Sequence, residues 1–294
     1  MSGATQLQVE EPASSPERRG LKKGLYLIPS AFTAANILMG FYAVMSSLRA
    51  FQFVGRGGAD DLLRAANLFD NAAKAIGWAM LFDALDGRLA RMTKTTTEIG
   101  VQFDSIADVL TFGIAPAVLA YTWGYGAALN EASYLHQLGW FLSFMYLMCG
   151  AFRLARFNVQ ATRPRILEEG TIKLDKKNFV GLPIPVAAGL IAAVVHFAPQ
   201  PLGQYGTRQA ILYSGLTMAI VGCLGALMVS TIRYPSFKTA GTGRRGARVV
   251  ILLGAIATLV WLFSRYVLLG LVTSYILYGL VARLGALFRH SDKS

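Results

Sequence analysis

Charged residues are scarce in this chain of 294 residues. Asp, Glu, Lys and Arg together make up 15% of it, whereas soluble proteins carry about 25%. Hydrophobic residues make up 54%, and the mean hydropathy is +0.46. This composition excludes an ordinary soluble protein and indicates a polytopic membrane protein.

Cysteine and histidine are also rare. The two cysteines, Cys149 and Cys223, each lie in an apolar stretch, so we interpret both as small buried hydrophobic residues. The three histidines, His136, His196 and His290, show no metal-ligand spacing, and we assign them no chemistry. No Ser/His or Cys/His arrangement indicates a covalent nucleophile.

The net charge of +12 could suggest nucleic-acid binding, but its distribution argues against it. Basic residues cluster at the ends of apolar spans, and the positive-inside rule places such residues in the cytoplasm. We therefore expect both termini to be cytoplasmic, in a bacterial inner membrane. This orientation leaves 22 of the 28 Lys and Arg residues inside and six outside, namely Arg49, Arg56, Arg64, Lys74, Arg208 and Arg265.

Eight apolar stretches are long enough to span a bilayer as helices, which takes about 20 residues each. We divide the chain into a disordered cytoplasmic tail (1–24), a membrane core of six helices (25–232) and a C-terminal helix pair with a short tail (233–294). The tail composition, rich in Pro, Ser, Glu and Gly, is typical of disorder. The predicted fold is an all-α transmembrane bundle with spans at 32–51, 67–91, 101–124, 138–158, 180–199, 209–230, 247–264 and 266–285.

Four aspartates interrupt the apolar sequence between residues 83 and 108. A carboxylate at the centre of a membrane helix costs roughly 2.5–3.5 kcal/mol, so four of them so close together need a compensating partner. On helices each half of the pattern forms one stripe, because positions i, i+3, i+4, i+7 and i+8 share a face. The pattern reads Asp83-x-x-Asp86-Gly87-x-x-Ala90-Arg91, then Gly100-x-x-x-Asp104-x-x-x-Asp108.

The linker 92–99 between the two stripes is polar and short, so we expect their helices to be antiparallel neighbours. Folding the chain at the middle of this linker brings Asp83 level with Asp108. The same fold brings Asp86 close to the level of Asp104. The four carboxylates are therefore predicted to meet in the cytoplasmic third of the membrane.

Small residues and the nature of the ligands suggest what could occupy this place. Gly87 and Gly100 leave room for a ligand, or for close helix packing. Carboxylates are hard oxygen ligands that suit Mg²⁺ or Mn²⁺, and with a nearby arginine they resemble a two-metal diphosphate clamp. The alternative is a structural ion-pair network in which Arg88 and Arg91 neutralise two of the aspartates.

At every defined position this pattern resembles the signature of the CDP-alcohol phosphatidyltransferase family, and the similarity extends over roughly 25–230. It implies a homodimeric membrane enzyme that transfers a substituted phosphoryl group from a CDP-linked donor to an alcohol and releases CMP. It implies two divalent ions bound by Asp83, Asp86 and Asp104, with Asp108 as a further ligand and the general base. The residues implied to contact CDP-diacylglycerol are Thr33, Gly87, Ala90, Arg91, Thr97 and Gly100.

Three further stretches, 104–117, 153–158 and 179–185, resemble the branch of the family that uses serine as the acceptor. The branch that uses glycerol phosphate typically has Lys after the last aspartate, where this chain has Val109. The chain departs from the family pattern at 29–33. It has Pro-Ser-Ala-Phe-Thr there, where members of the family often have Pro-Asn-x-x-Thr. Glycerol phosphate, inositol phosphate and another amino alcohol stay open as acceptors.

Arg153 and Arg156 lie at i and i+3 at the cytoplasmic end of the fourth predicted span. They could bind the serine carboxylate or a lipid phosphate, or anchor the helix by snorkelling. A remote alternative for the whole chain is a divalent-cation transporter, since acids within the membrane are common there. Transporter sites, however, usually lie near the midplane on broken helices.

Overall fold

The computed structural model describes residues 16–93, 98–162, 178–235 and 264–281. They form the predicted all-α bundle, together with one short antiparallel pair of strands, β1 (Asn178–Val180) and β2 (Arg233–Pro235), in which Phe179 lies opposite Tyr234. The α-helices are α1 (Pro16–Arg56), α2 (Ala59–Thr93), α3 (Glu98–Asp108), α4 (Ala115–Ala120), α5 (Tyr134–Thr162), α6 (Ile184–Phe197), α7 (Thr207–Val229) and α8 (Ser264–Val281). Two π-helical segments, Val109–Ile114 and Tyr121–Tyr125, flank α4 and make one helical rod of 98–125, and a 3-10 turn, Leu202–Gln204, precedes α7.

Six helical stretches are long and apolar enough to cross a membrane, and they coincide with six of the eight predicted spans. They are Ala31–Arg56, Ile99–Tyr125, Tyr134–Val159, Ile184–Gln204, Thr207–Val229 and Ser264–Val281. Their outer faces carry large apolar side chains, such as Phe41 (63% exposed) and Trp140 (60% exposed). A water-soluble protein does not expose so much apolar surface, so this is an integral membrane protein.

The two remaining predicted spans have different outcomes. The stretch predicted at 67–91 is helical, as part of α2, but charged residues recur along it, and it is too polar to count among the six. The span predicted at 247–264 lies almost entirely outside the described residues. The N-terminal boundary also differs, because α1 begins at Pro16, within the segment predicted to be disordered. Proline is favourable in the first turn of a helix, where its missing N–H is not needed.

Helices α1 and α2 form a long antiparallel hairpin. The chain turns at Gly57, whose φ of +74° is the left-handed conformation that glycine adopts readily after the end of a helix. Fully buried alanines line the contact at seven-residue spacing, so the two backbones approach closely, as is typical of membrane helices. The alanines with no exposed surface are Ala43 and Ala50 on α1, and Ala65, Ala72 and Ala79 on α2.

The first π-helical segment begins immediately after Asp108 and lies against α1 and α5. The Thr111 hydroxyl donates a hydrogen bond of 3.2 Å to the Asn36 carbonyl, and the Tyr146 hydroxyl donates one of 3.0 Å to the Phe112 carbonyl. A side chain at Gly40 would collide with Thr111, because its Cβ would lie 2.5 Å from the threonine Oγ1. These contacts fix the segment that follows Asp108 against α1 and α5.

Helix α8 packs on the bundle beside α2 and α6. A Cβ at Gly189 on α6 would lie 3.2 Å from the Met80 side chain on α2 and 3.9 Å from Val272 on α8. At the far end of the same helices, His196 binds Asp70 through Nδ1 and Ser264 Oγ through Nε2, at 2.9 Å. Helix α8 is therefore part of the folded bundle.

Candidate active site

Three of the four aspartates come together between α2 and the rod that begins with α3. One carboxylate oxygen from each of Asp83, Asp104 and Asp108 lies within 4.8 Å of those of the other two. All three residues are partly buried. The structure thus brings together the carboxylates of Asp83 and Asp108, which are 25 positions apart in the sequence.

Charge repulsion makes this cluster unfavourable by itself. Two unit charges 4.8 Å apart repel each other by about 3.5 kcal/mol at an effective dielectric constant of 20. One oxygen of Asp108 is buried and has no hydrogen-bond partner among the described residues. Closely spaced hard oxygen ligands with an unsatisfied buried oxygen fit a small divalent cation.

Asp86, the fourth aspartate, faces α1. Its Oδ2 accepts a hydrogen bond of 2.5 Å from the Thr33 hydroxyl. Its other oxygen is buried and has no hydrogen-bond partner in the part of the chain that the structure describes. Thr33 was assigned from the family resemblance to the CDP-linked donor, and the structure places it on a carboxylate of the predicted metal site.

The predicted donor-binding residues are only partly described. A Cβ at Gly87 would meet nothing within 4 Å, so the space beside this glycine is open, which favours a ligand over close helix packing. Gly100 is exposed on the first turn of α3. Ala90 and Arg91 lie on the last turns of α2 and are described by their backbone only, while Thr97 lies outside the described residues.

The alternative of an ion-pair network gains no support from Arg88. This residue is exposed. The ion pairs found within 16–93, 98–162, 178–235 and 264–281 join Asp61 to Arg64, and Asp70 to Lys74 and His196. None of them involves an aspartate of the cluster.

Arg153, on α5, lies near Asp108, although the ion pairs of the described residues do not include these two. Its guanidinium interacts electrostatically with the Asp108 carboxylate, with Arg156 and with Tyr275. Its Nε is buried and lacks a hydrogen-bond partner among the described residues. Arg156 is partly buried on the next turn. A cation pointing into the bundle beside a carboxylate argues against simple snorkelling for Arg153, because a snorkelling side chain extends into water.

Two residues that sequence reasoning left without a role position the cluster. The Asn158 side-chain amide donates a hydrogen bond of 2.8 Å to Ser105 Oγ. This bond joins the C-terminal end of α5 to α3, next to Asp104. Both residues lie in the stretches that resemble the family. That location is the sequence signal that could have identified them as residues of the site.

Asn36 is a further residue that sequence reasoning missed. It is 1% exposed, and neither its side-chain nitrogen nor its oxygen has a hydrogen-bond partner in the described ranges. It lies one turn beyond Thr33 on α1, and its carbonyl accepts the Thr111 bond. Leaving a buried amide without a hydrogen-bond partner costs free energy. The sequence signal that could have revealed Asn36 is an asparagine inside an apolar span.

Comparisons with known proteins agree with this geometry. The family model described as CDP-alcohol phosphatidyltransferase matches residues 26–261. A CDP-diacylglycerol–serine O-phosphatidyltransferase of Helicobacter pylori is 31% identical over 258 residues, which cover 87% of this chain and 91% of that protein. One of Bacillus subtilis is 29% identical, over 72% of this chain and 91% of that protein.

A third relative has a different lipid in its name. An archaetidylserine synthase of Methanothermobacter thermautotrophicus is 36% identical over 166 residues, which cover 55% of this chain and 57% of that protein. The family model spans most of the chain and includes all four aspartates of the predicted pattern. The chain belongs to the CDP-alcohol phosphatidyltransferase family.

Proposed function

We propose that this protein transfers the phosphatidyl group of CDP-diacylglycerol to the hydroxyl of L-serine, giving phosphatidylserine and CMP. The single observation that carries the proposal is the cluster of Asp83, Asp104 and Asp108 with Arg153 beside it. The relatives support serine as the acceptor, because the names of the bacterial enzymes and of the archaeal synthase share serine while their lipids differ.

The carboxylates fit two divalent ions, Mg²⁺ or Mn²⁺. Asp83, Asp86 and Asp104 would hold them, with Asp108 completing the set. When bound, these ions would neutralise the diphosphate of the donor and the charge on the leaving CMP. The open space beside Gly87 gives the diphosphate access to the carboxylates.

Asp108 is the proposed general base. The serine oxygen attacks the phosphorus that carries the diacylglycerol, the bond from this phosphorus to the CMP oxygen breaks, and the hydroxyl proton passes to the Asp108 carboxylate. Its Oδ1, which has no hydrogen-bond partner among the described residues, would accept this proton. A carboxylate near cations is a weak base, so its value lies in its placement next to the attacking hydroxyl.

Arg153, together with Arg156, is the proposed binding site for the serine carboxylate. A guanidinium can bind a carboxylate through two parallel hydrogen bonds, which leaves the hydroxyl of serine free to point at phosphorus. The buried Nε of Arg153, which has no partner in the described part of the chain, supports a ligand at this position. A lipid phosphate is the competing ligand for the same arginines.

The location of the reaction follows from the solubility of its reactants. Donor and product are lipids while serine and CMP are soluble in water, so the site must open to the cytosol and the bilayer together. We place the site on the cytoplasmic side of a bacterial inner membrane, from the distribution of Lys and Arg. A homodimer, which the family resemblance implies, remains a prediction.

The acceptor is tested with a panel of alcohols. Purified protein with CDP-diacylglycerol and Mg²⁺ or Mn²⁺ is expected to make a lipid from L-serine, and much less from glycerol phosphate, inositol phosphate or ethanolamine. A preference for one of these three would replace serine in the proposal and keep the chemistry. Family membership leaves no support for the transporter hypothesis.

A further inference from the structure

Helix α8 follows the six-helix core, and the sequence pattern assigned it no role. One face of α8 packs on the bundle: Ile276 is 6% exposed, and Val272, Tyr275 and Leu280 pack against the buried core. Tyr278, on the next turn, is 62% exposed. Tyr275 thus packs towards the bundle, whereas Tyr278 lies on the exposed side of the helix.

Contacts at two levels fix the depth of Tyr275. At one end of α6, His196 binds both Asp70 on α2 and Ser264 on α8. Seven residues earlier on α6, Gly189 lies against Met80 on α2 and Val272 on α8. Helices α2 and α8 therefore run side by side in the same direction. One turn beyond this second level, α2 carries Asp83 and α8 carries Tyr275.

Helix α5 brings Arg153 to the same depth. On α5, Tyr146 donates to the Phe112 carbonyl and Asn158 donates to Ser105. Arg153 lies between these two α5 residues as Asp108 lies between their partners on the rod, so Arg153 is level with Asp108. The Arg153 guanidinium interacts electrostatically with both Tyr275 and Asp108. Tyr275, Arg153 and the carboxylate cluster therefore lie at one level of the bundle, and Arg153 is close enough to both of the others to feel their charge.

We propose that Tyr275 is part of the acceptor site, where its hydroxyl donates a hydrogen bond to the carboxylate of the amino-acid acceptor that Arg153 binds. This inference rests on the proposed function and names a residue that determines its specificity. A carboxylate has several lone pairs, so it can accept from a guanidinium and a phenol together. An acceptor that lacks a carboxylate gains nothing from either group, and α8 thereby favours serine over simpler amino alcohols.

The test compares Tyr275→Phe with Tyr278→Phe, which removes the same hydroxyl from the exposed face of the same helix. The measurements are the KM for serine, the KM for CDP-diacylglycerol, and the inhibition constant of serinol, which is serine with its carboxylate replaced by a hydroxymethyl group. We expect Tyr275→Phe to raise the serine KM about tenfold or more, because a hydrogen bond to a charged group is lost. The donor KM and the serinol constant should change less than about twofold, and Tyr278→Phe should change none of the three.

Equal changes for serine and serinol would overturn the inference, because they would show a loss of pocket shape. An unchanged serine KM, or a raised donor KM alone, would overturn it too. Thermal unfolding in detergent checks the fold, and Tyr275→Leu allows the same comparison should the Phe variant be unstable. If the wild type is active and Tyr275→Phe behaves like it, this inference alone is contradicted. If the wild type forms no serine lipid, the proposed function is contradicted, and the inference with it.

Discussion

The hydroxyl of Thr33 donates a hydrogen bond of 2.5 Å to Asp86, across α1 and α2 and over 53 positions of sequence. The bond fixes one carboxylate of the proposed metal site from a helix that lies outside the aspartate pattern. It links a threonine on the first span to a carboxylate on the second. We therefore expect Thr33 to act on the proposed site through Asp86.

Replacing Thr33 should weaken metal binding. In Thr33→Val the carboxylate of Asp86 loses its donor and stays buried, and a hydrogen bond to a charged group contributes about 1.5–3 kcal/mol. We expect the metal concentration for half-maximal activity to rise roughly ten- to a hundredfold. Thr33→Ser keeps the hydroxyl and should stay close to the wild type. Equal behaviour of the two variants would show that the hydroxyl is not the relevant group.

Removing the proposed base should abolish turnover without unfolding the protein. Asp108→Asn keeps the size of the side chain but cannot accept the serine proton, and the loss of a general base typically costs about 10²–10⁴-fold. Single-turnover assays should show this loss or a greater one, since the metal site is also disturbed. Thermal unfolding in detergent serves as the control. Turnover near the wild-type value would remove Asp108 from its assigned role.

The shape of the cation should matter at Arg153. The variants Arg153→Lys and Arg156→Lys keep the positive charge. Lysine, however, cannot make the planar pair of hydrogen bonds that a guanidinium makes. We expect the serine KM to rise roughly ten- to a hundredfold, and far more than the KM for CDP-diacylglycerol. A rise in the donor KM alone would assign these arginines to the lipid phosphate. No change in either constant would support snorkelling.

Local patterns in the sequence predicted the part of the site that depends on helical spacing. The i, i+3 and i+4 intervals of the aspartates fix which side of a helix they share, and the short linker fixes their depth. Contacts between distant helices left no such trace. Asn158 and Ser105, 53 positions apart, are brought together only by the packing of α5 on α3, and Thr33 reaches Asp86 in the same way.

His196 shows the same limit more clearly. The spacing of this histidine in the sequence indicates no metal ligand nearby, so the sequence alone assigns it no chemistry. In the structure it lies between Asp70 and Ser264, which are 126 and 68 positions away from it. Asp70 also pairs with Lys74 at 2.7 Å. A histidine that joins three helices cannot be identified from spacing, because none of its partners lies within a few turns of the chain.

This buried network leads to a prediction about stability. His196→Leu leaves the Asp70 carboxylate buried with one partner fewer, which should lower the free energy of unfolding by about 1–3 kcal/mol. The double variant Asp70→Leu/His196→Leu removes both polar groups, and replacing a buried pair by apolar residues is often neutral. The double variant should therefore lose less free energy of unfolding than the two single variants lose together, as measured by unfolding in detergent. Strict additivity would contradict the coupling.

The central claim is that the aspartate cluster, with divalent ions, joins serine to the phosphatidyl group. The most direct measurement incubates the purified protein with CDP-diacylglycerol and labelled L-serine, with Mg²⁺ or Mn²⁺ and after exhaustive chelation. The account predicts labelled phosphatidylserine and an equal amount of CMP when either ion is present, and neither product after chelation. Full activity without metal, or no labelled lipid with either ion, would contradict it.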